Sequence, residues 1–452
     1  MSNSRSNQSL RDDSIAIWKA GVDAVAADRL VREVVTCDDE ALTIAGERIP
    51  LEGLGQIIVV GAGKAGAGMT AGVEQALSDT SLADRVTGWI NVPADCVRPT
   101  QSIHLHAARP AGVNEPTAEG VAGSERILQL VAAASPQDVS VVLLSGGGSA
   151  LLPAPVEGVS LSDKQTVTRG LMRAGARIDE LNCVRKHLSR IKGGRLAQAC
   201  RAGKIIALII SDVIGDPLDV IASGPTIADS TTAADAIAVL LKFADRMPVI
   251  PESAMTYLRG AAKRESSIDT VSTPQVKNVI IGNIDVAMRA AADEARRRGY
   301  TVQSLGGANA GIARAVGRDL AERCLDAQET HAGPLCLLSG GEPVVQLVDT
   351  DEPRQGGRNQ ELVLAAAERL WDDDLSGIAI LSGGTDGEDG PTDAAGAVVD
   401  AELVRLARER GLNPGDFLAT NNSYPFFDQS GGLLKTGPTH TNVMDLRVAL
   451  CE

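Results

Sequence analysis

The chain closes an apolar run with Leu-Ser-Gly-Gly three times: Leu144-Ser145-Gly146-Gly147, Leu338-Ser339-Gly340-Gly341 and Leu381-Ser382-Gly383-Gly384. A strand that stops on paired glycines exposes backbone N–H groups with no Cβ in the way, a geometry suited to an anion. In α/β proteins ligands collect beyond the carboxyl ends of parallel strands. Each copy leads into a different loop (GSALLPAP, EPVVQL and TDGEDGPTD), so the repeat predicts strand ends lining a cleft for an anionic ligand.

The rest of the composition narrows that ligand. The 452 residues suffice for two or three domains, and 44% hydrophobic with 22% charged residues is ordinary for a globular chain. Aromatics make up only 2%, so the cores must be aliphatic and the stacking platforms of a single-stranded nucleic-acid binder are missing. A formal net charge of −15 without a basic run argues against nucleic acid and against anionic membranes. Seven cysteines, an odd number without C-x-x-C spacing, indicate neither a disulfide frame nor a zinc site. Residues 1–13 lack the apolar segment of a signal peptide, and runs such as IIALII are strand-sized. The expectation is a cytoplasmic protein acting on small molecules.

Strand-like runs at 57–60, 87–92, 102–106, 139–144 and 204–210 alternate with Ala-rich helical stretches, the pattern of an α/β doubly wound parallel sheet. One helix is predicted from Ser14 to about Leu30. The segment ESSIDTVSTPQ reads as a linker. The alternation then restarts, with strands expected at 276–281, 301–305, 335–339, 343–348, 377–382 and 396–399. These features divide the chain into an N-terminal domain, residues 1–268, and a smaller C-terminal α/β domain, residues 269–452.

Several loops carry candidate chemistry. The first strand runs into Gly61-x-Gly63-x-x-Gly66, formally a dinucleotide fingerprint. Lys64 stands inside that turn, and no acidic residue closes the following strand, both unlike a dinucleotide site. Ser145-Gly146-Gly147-Gly148-Ser149 offers a nest for phosphate or carboxylate oxygens. The stretch NCVRKHLSRIKGGRLA holds the densest cations of an acidic chain, Lys186 and Lys192 among them. Asp212 follows the strand at 204–210 directly, where a general base or a Mg²⁺ ligand would stand, whereas Asp216 before a proline suits a turn. Arg358, with Asn359 beside it, opens a helix after Gly356-Gly357 and can fork onto an oxyanion. Asp386 heads an acidic loop that could hold magnesium, and Thr439 and Asn442 are small donors in a Gly-Pro loop.

Taken in order, VVGAGKAGAGM, LLSGGGSALLPAP, NCVRKHLSRIKGGRLA, SDVIGDPLDVIASGPT, GGRNQELVLAAA, LSGGTDGEDGPTDAAGA and TGPTHTNVMDL resemble the glycerate 2-kinase family, the class II type with a C-terminal MOFRL domain. Some members carry the label hydroxypyruvate reductase. The resemblance runs from about residue 14 to 448. It implies a Rossmann-like N-terminal domain, a smaller MOFRL-type domain and a catalytic cleft between them. It implies ATP and Mg²⁺, and phosphorylation of D-glycerate at its 2-hydroxyl. Carried over position by position, Lys64 and Arg358 match the family's functional pair and Asp212 its Ser-Asp-Val carboxylate. Many relatives have a His-Pro-x-Pro-Asp-like loop after the third strand where this chain reads HAARPAGVNEPT, which leaves a larger sugar acid open as substrate. An NAD(P)H-dependent reductase and a non-catalytic sugar-acid binder are the other readings, and a homodimer is compatible with all three.

Overall fold

The computed structural model describes residues 7–113, 115–265, 276–349 and 353–452. They form two compact units, Ala27–Ile281 and Met1–Ala26 with Gly282–Glu452.

The first unit is built on strands Ile57–Ala62, Val86–Pro93, Ile103–Arg109, Val139–Leu144, Lys204–Ile210 and Val276–Gly282. Numbered along the chain, they lie side by side in the order 3-2-1-4-5-6, and the first five are parallel. This is the strand order of a Rossmann sheet, with its reversal between Ile57–Ala62 and Val139–Leu144. Both of these strands are buried at every residue, which explains their apolar runs, interrupted only at Ser140. Pairing of Ile57 with Val139 through Ala62 with Leu144 places the two Gly-rich loops side by side at the carboxyl edge. A helical layer of Leu161–Arg173, Ile178–His187, Ala233–Lys242 and Glu252–Glu265 packs around its own core, including Val167, Leu171, Val184, Leu240 and Leu258. Capping boxes at Ser160/Asp163 and Thr232/Asp235 start two of those helices.

The second unit has a mixed sheet ordered Thr301–Ser304, Leu335–Gly341, Asp445–Cys451, Ile378–Gly384, Gly396–Asp400, Leu433–Leu434. The chain's last strand runs antiparallel between the two that end in Leu-Ser-Gly-Gly, in matched register: Ser339 and Ser382 flank Arg447, and Gly341 and Gly384 flank Asp445. Helices Asn7–Ala24 and Ile284–Arg297 cover one face of this sheet. A Cβ on Gly340 would overlap Ile284, and one on Gly383 would meet the Trp18 ring at 3.0 Å. In these two copies the first glycine therefore serves helix packing rather than an anion. Helix Arg358–Arg369 covers the other face, where the Ser382 hydroxyl donates to Asn359 Oδ1 at 2.5 Å.

Several expectations change. The division at 268/269 gives way to a discontinuous unit. Val276–Gly282 is hydrogen-bonded as the sixth strand of the first sheet, because a buried parallel strand leaves an open edge that the next apolar run can satisfy. Helix Asn7–Ala24 belongs with the C-terminal residues, its Trp18 indole donating to Gly383 O at 3.2 Å. The single helix from Ser14 to Leu30 is two, Asn7–Ala24 and Ala27–Val34. The run 343–348 makes one isolated bridge, Val344 to Ile312, instead of a strand. Most of the expected linker, residues 266–275, lies outside the described residues. A small antiparallel sheet of Val35–Cys37, Ala41–Ile44 and Glu47–Pro50 has no counterpart in the expectations. All seven cysteines are free thiols, and among the described residues no helix is long and apolar enough to cross a membrane.

Helix Arg358–Arg369 is seated through Gly317 of helix Ala313–Thr330, where a Cβ would overlap the Leu362 carbonyl, a backbone atom that cannot swing aside. Gly317→Ala should destabilise the protein by ~1–3 kcal/mol through overpacking. Gly260→Ala, in a half-buried helical turn whose nearest neighbour is the Arg264 side chain 3.4 Å away, should instead be neutral or stabilising by up to ~1 kcal/mol. Thermal unfolding of the two variants checks the contrast, and equal shifts would remove the packing account.

Candidate active site

At the switch point of the first sheet, the two Gly-rich loops are stitched together. Lys64 N donates to Gly146 O at 2.8 Å, Ser145 N to Ala62 O at 3.2 Å, and Ala65 N to Ser145 Oγ at 3.0 Å. A Cβ on Gly63 would overlap Ser145 Oγ. In a dinucleotide fold that glycine opens the backbone to the pyrophosphate; here the serine hydroxyl takes the space. Ser145, expected to contact ligand, is thus a buried staple between loops. The edge it fixes is cationic: a Cβ built on Gly147 would lie 3.3 Å from Arg109 Nη2 and 3.7 Å from Lys64 Cγ. Asp212, half-buried, follows the neighbouring strand Lys204–Ile210. Asp216 adopts a φ of 53° at the Gly215-Asp216-Pro217 turn, the conformational role its place before proline suggests.

Beyond Ser149 the positive charge deepens. Arg185 Nη2 donates to Ser149 Oγ, and Lys192 Nζ reaches Ser149 O at 2.8 Å and Oγ at 2.9 Å. Ser149 and Ser223 share a hydrogen bond of 2.8 Å. Lys164, buried on the adjacent helix, donates to Leu188 O at 3.2 Å. Burial, aided by Arg185 and Arg195, pulls the Lys164 ammonium down to about 7. Burial lowers Arg185 to about 10, and lowers Lys192 with help from Arg185 and Lys164. Lys186 differs, being neutralised by Asp219 at 3.4 Å and Asp229 at 3.6 Å. That pairing argues for Lys186 as a structural ion pair and not the phosphate contact expected of it.

In the second unit, Arg358 is the first residue of its helix, as the sequence predicts. Its Nε and Nη2 grip Asp445 at 2.6 and 2.9 Å, and Nη1 reaches Glu342 at 2.9 Å. Burial opposes the charge, but Asp445 and Glu342 outweigh it and hold the guanidinium firmly protonated. Asp389 accepts from the amides of Asn359 at 3.0 Å and Gln360 at 2.8 Å, capping the helix that carries Arg358. Burial pushes the Asp389 carboxyl up to about 7 against those donors. Asn359, expected to touch ligand, is fully buried, its amide spent on Asp389 and Ser382. Thr439 donates to Thr385 O at 2.5 Å and Asn442 Oδ1 accepts from Met444 N at 3.1 Å, so both brace the loop. Asp386 Oδ1 accepts from Glu388 N at 3.1 Å. A pocket of ≈ 680 Å³ opens beside Arg358, bordered by Pro343, Val344, Leu347, Arg354 and Gly390.

Sequence reasoning missed Asp445 and Arg447, and placed Asp389 only among the carboxylates of the acidic loop, free to bind magnesium, cap a helix or be solvated. Arg447 is fully buried, donates to Gly341 O at 3.3 Å and leaves Nε and Nη1 without hydrogen-bond partners. Burial lowers it to about 10, with Asp445 pulling the other way. A lone acid and a lone base inside an otherwise apolar strand were the available signal.

A Rossmann-ordered unit with a cationic strand edge, joined in sequence to a second α/β unit with a clamped arginine, is the framework of a small-molecule phosphotransferase. The chain belongs to the glycerate kinase family. Residues 13–259 match the model described as Domain of unknown function (DUF4147), and residues 335–445 match the MOFRL family. The D-glycerate 2-kinase of Thermotoga maritima is 35% identical, over 98% of this chain and 99% of its own length. The glycerate kinase of Danio rerio is 35% identical over 98% of each, and an Agrobacterium vitis relative, 38% identical over 94% of this chain and 95% of its own, bears a provisional hydroxypyruvate reductase name. Among solved structures, the Thermotoga maritima glycerate kinase superposes with a TM-score of 0.83 at 34% identity, covering 98% of this chain and 100% of that one.

The depressed Lys164 sets a pH dependence. Its ammonium has an ordinary value of 10.5 and falls to about 7 in the folded state. Between those values the unfolded chain binds the proton that the folded protein has released, so this residue's contribution to stability rises with pH. The contribution is fullest above the unfolded value and is lost as pH falls toward 7. Urea midpoints of wild type and Lys164→Met, measured between pH 6 and 10, should therefore converge as pH rises. A difference that stays constant across the range would refute the depressed value.

Proposed function

We infer that this protein is an ATP-dependent kinase that phosphorylates D-glycerate at its 2-hydroxyl. The observation that carries the reading is the cationic edge at the switch point of the first sheet, Lys64, Arg109, Arg185 and Lys192 grouped around the Gly147–Ser149 loop. The names of the Thermotoga maritima and Danio rerio relatives support glycerate and kinase chemistry. The Ser145 hydroxyl beside Gly63 weighs against a dinucleotide and so against the reductase alternative.

Phosphoryl transfer depends chiefly on positioning and charge neutralisation. On this reading Lys64 and Arg358 neutralise the substrate carboxylate and the phosphoryl group in flight. Asp212 orients the 2-hydroxyl and accepts its proton as that oxygen bonds to the γ-phosphorus. The bond from phosphorus to the β–γ bridging oxygen breaks, and ADP leaves. Among the described residues, no group of three or more His, Cys, Asp or Glu side chains converges to hold a metal. Mg²⁺ keeps waters and takes one or two carboxylates together with substrate phosphates. Asp212 is our first assignment as its ligand and Asp386 the second; the ion would supply charge neutralisation to the phosphates. The substrate is a cytoplasmic small molecule, and assay of glycerate beside larger sugar acids decides its size.

Incubation with ATP and Mg²⁺ should convert D-glycerate to 2-phosphoglycerate. Formation of the 3-isomer alone, or NADH oxidation with hydroxypyruvate in place of kinase turnover, would overturn the assignment. Lys64→Ala and Arg358→Ala should each lower kcat/KM by at least about 100-fold, the scale of removing a charged contact from a dry site.

Asp212→Asn keeps the shape and removes the charge. Its kcat should fall steeply while the thermal midpoint barely moves and glycerate binding persists. Asp216→Asn, at the turn, should be milder in turnover. Near-wild-type turnover of Asp212→Asn at saturating Mg²⁺ would make it structural and shift the catalytic carboxylate elsewhere.

A further inference from the structure

Three cations converge near Ser149 from different elements: Lys164 from helix Leu161–Arg173, Arg185 from helix Ile178–His187, and Lys192 from the turn that follows. Arg185 and Lys192 both donate to one neutral acceptor, Ser149 Oγ. The remaining acceptors of Lys192 are the carbonyls of Ser149 at 2.8 Å and Ala222 at 3.4 Å, and that of Lys164 is the Leu188 carbonyl at 3.2 Å. Among the described residues, no carboxylate contributes to the environment of any of the three. Their neighbour Lys186 has two carboxylates, so acids are available in this layer and are withheld from the cluster.

The backbone beneath is held by an unusual lock. Ala222, Ser223 and Gly224 have φ of 51°, 61° and 58°, and Gly193 and Gly194 have 59° and 79°. The two left-handed segments are joined by Gly193 N to Ser223 O at 3.0 Å and Gly194 N to Gly224 O at 2.8 Å. The lock sets Lys192 and Ser223 against Ser149. Two non-glycine residues held left-handed persist only where the surroundings over-determine them, as at ligand sites.

We propose that Ser149, Arg185, Lys192 and Lys164 form the seat of the nucleotide's polyphosphate, distinct from the groups that hold the glycerate carboxylate. The inference rests on the kinase reading and divides its anion sites between the two substrates. Charge decides the division. Arg185 keeps its charge, and an anion seated here must also restore the protons that burial draws from Lys164 and Lys192; a carboxylate brings one negative charge to that task. A terminal phosphate brings about −2 and several acceptor oxygens, and a chain of phosphates brings more. The Ser149 hydroxyl then marks where a phosphate oxygen receives the same two donors, Arg185 and Lys192.

Inorganic pyrophosphate, MgADP and D-glycerate serve as probes in calorimetric titration of the full-length protein. Pyrophosphate should bind wild type, compete with MgADP and leave glycerate affinity within about twofold. Arg185→Gln should weaken pyrophosphate and MgADP at least tenfold while glycerate affinity holds. Ser149→Ala, which removes one hydroxyl and keeps the packing, should weaken pyrophosphate in the same direction and stands in if Arg185→Gln does not fold. Displacement of pyrophosphate by glycerate rather than by MgADP, or unchanged pyrophosphate affinity in a folded variant, would overturn the proposal. If wild type fails to phosphorylate glycerate yet the variants lose pyrophosphate, the kinase reading falls and the anion seat stands.

Discussion

Positive charge buried without a counterion is the constraint from which the functional half of this molecule follows. Removing a cation from water is costly unless an anion or well-placed dipoles replace the solvent. Among the described residues, the hydrogen-bond acceptors of Lys192 around Ser149 are carbonyls and a hydroxyl. The left-handed lock at 193–194 and 222–224 keeps Lys192 from swinging out to solvent, where Lys192 is now 1% exposed. A fold that spent its stability only on itself would place an acid there, as it does for Lys186. The uncompensated charge is a demand for a ligand, and its position near a sheet's switch point is where α/β proteins meet theirs.

Glycine, which first drew attention to this chain, turns out to serve three masters. Gly63 makes room for Ser145 Oγ, so the fingerprint glycine joins two loops in the space that a dinucleotide fold gives to the pyrophosphate. Gly340 and Gly383 admit helices Ile284–Arg297 and Asn7–Ala24 to the back of the second sheet. Gly147, at φ 75°, keeps the opening between Lys64 and Arg109 clear. One repeated motif therefore reports a shared local need, backbone approach without a Cβ, and not one shared ligand.

Strand positions of the first sheet were legible because a parallel strand buried on both faces is almost wholly apolar, as Val139–Leu144 is apart from Ser140 and Lys204–Ile210 is beyond its first residue. The placement of Lys64, Asp212 and Arg358 at strand ends or a helix start followed from the same punctuation. The last strand was illegible for the opposite reason. Asp445 and Arg447 interrupt its apolar run, and only pairing across the chain, Asp445 with Arg358, makes their burial tolerable. Domain limits failed likewise, because Val276–Gly282 and Asn7–Ala24 carry ordinary local patterns whose partners lie far along the chain. Asn359 and Ser145 read as ligand contacts by composition; the structure gives both buried hydrogen-bond partners within the protein, which a motif does not spell out.

Arg358 shows how a cation can be fixed and still serve a ligand. Three of its five N–H donors are taken, two by Asp445 and one by Glu342. The two carboxylates are unequal. The Asp445 side chain is 0% exposed and sits in strand register between Gly341 and Gly384, whereas the Glu342 side chain is 48% exposed. Separating a buried bidentate pair would strand a carboxylate in the interior, while the exposed partner can exchange its cation for water at little cost. On the proposed function, an anion engages Arg358 through the donors that Asp445 leaves, and the buried pair stays in place. The buried acid keeps the guanidinium aimed through each exchange, and the Asp389 cap holds the helix from which it projects.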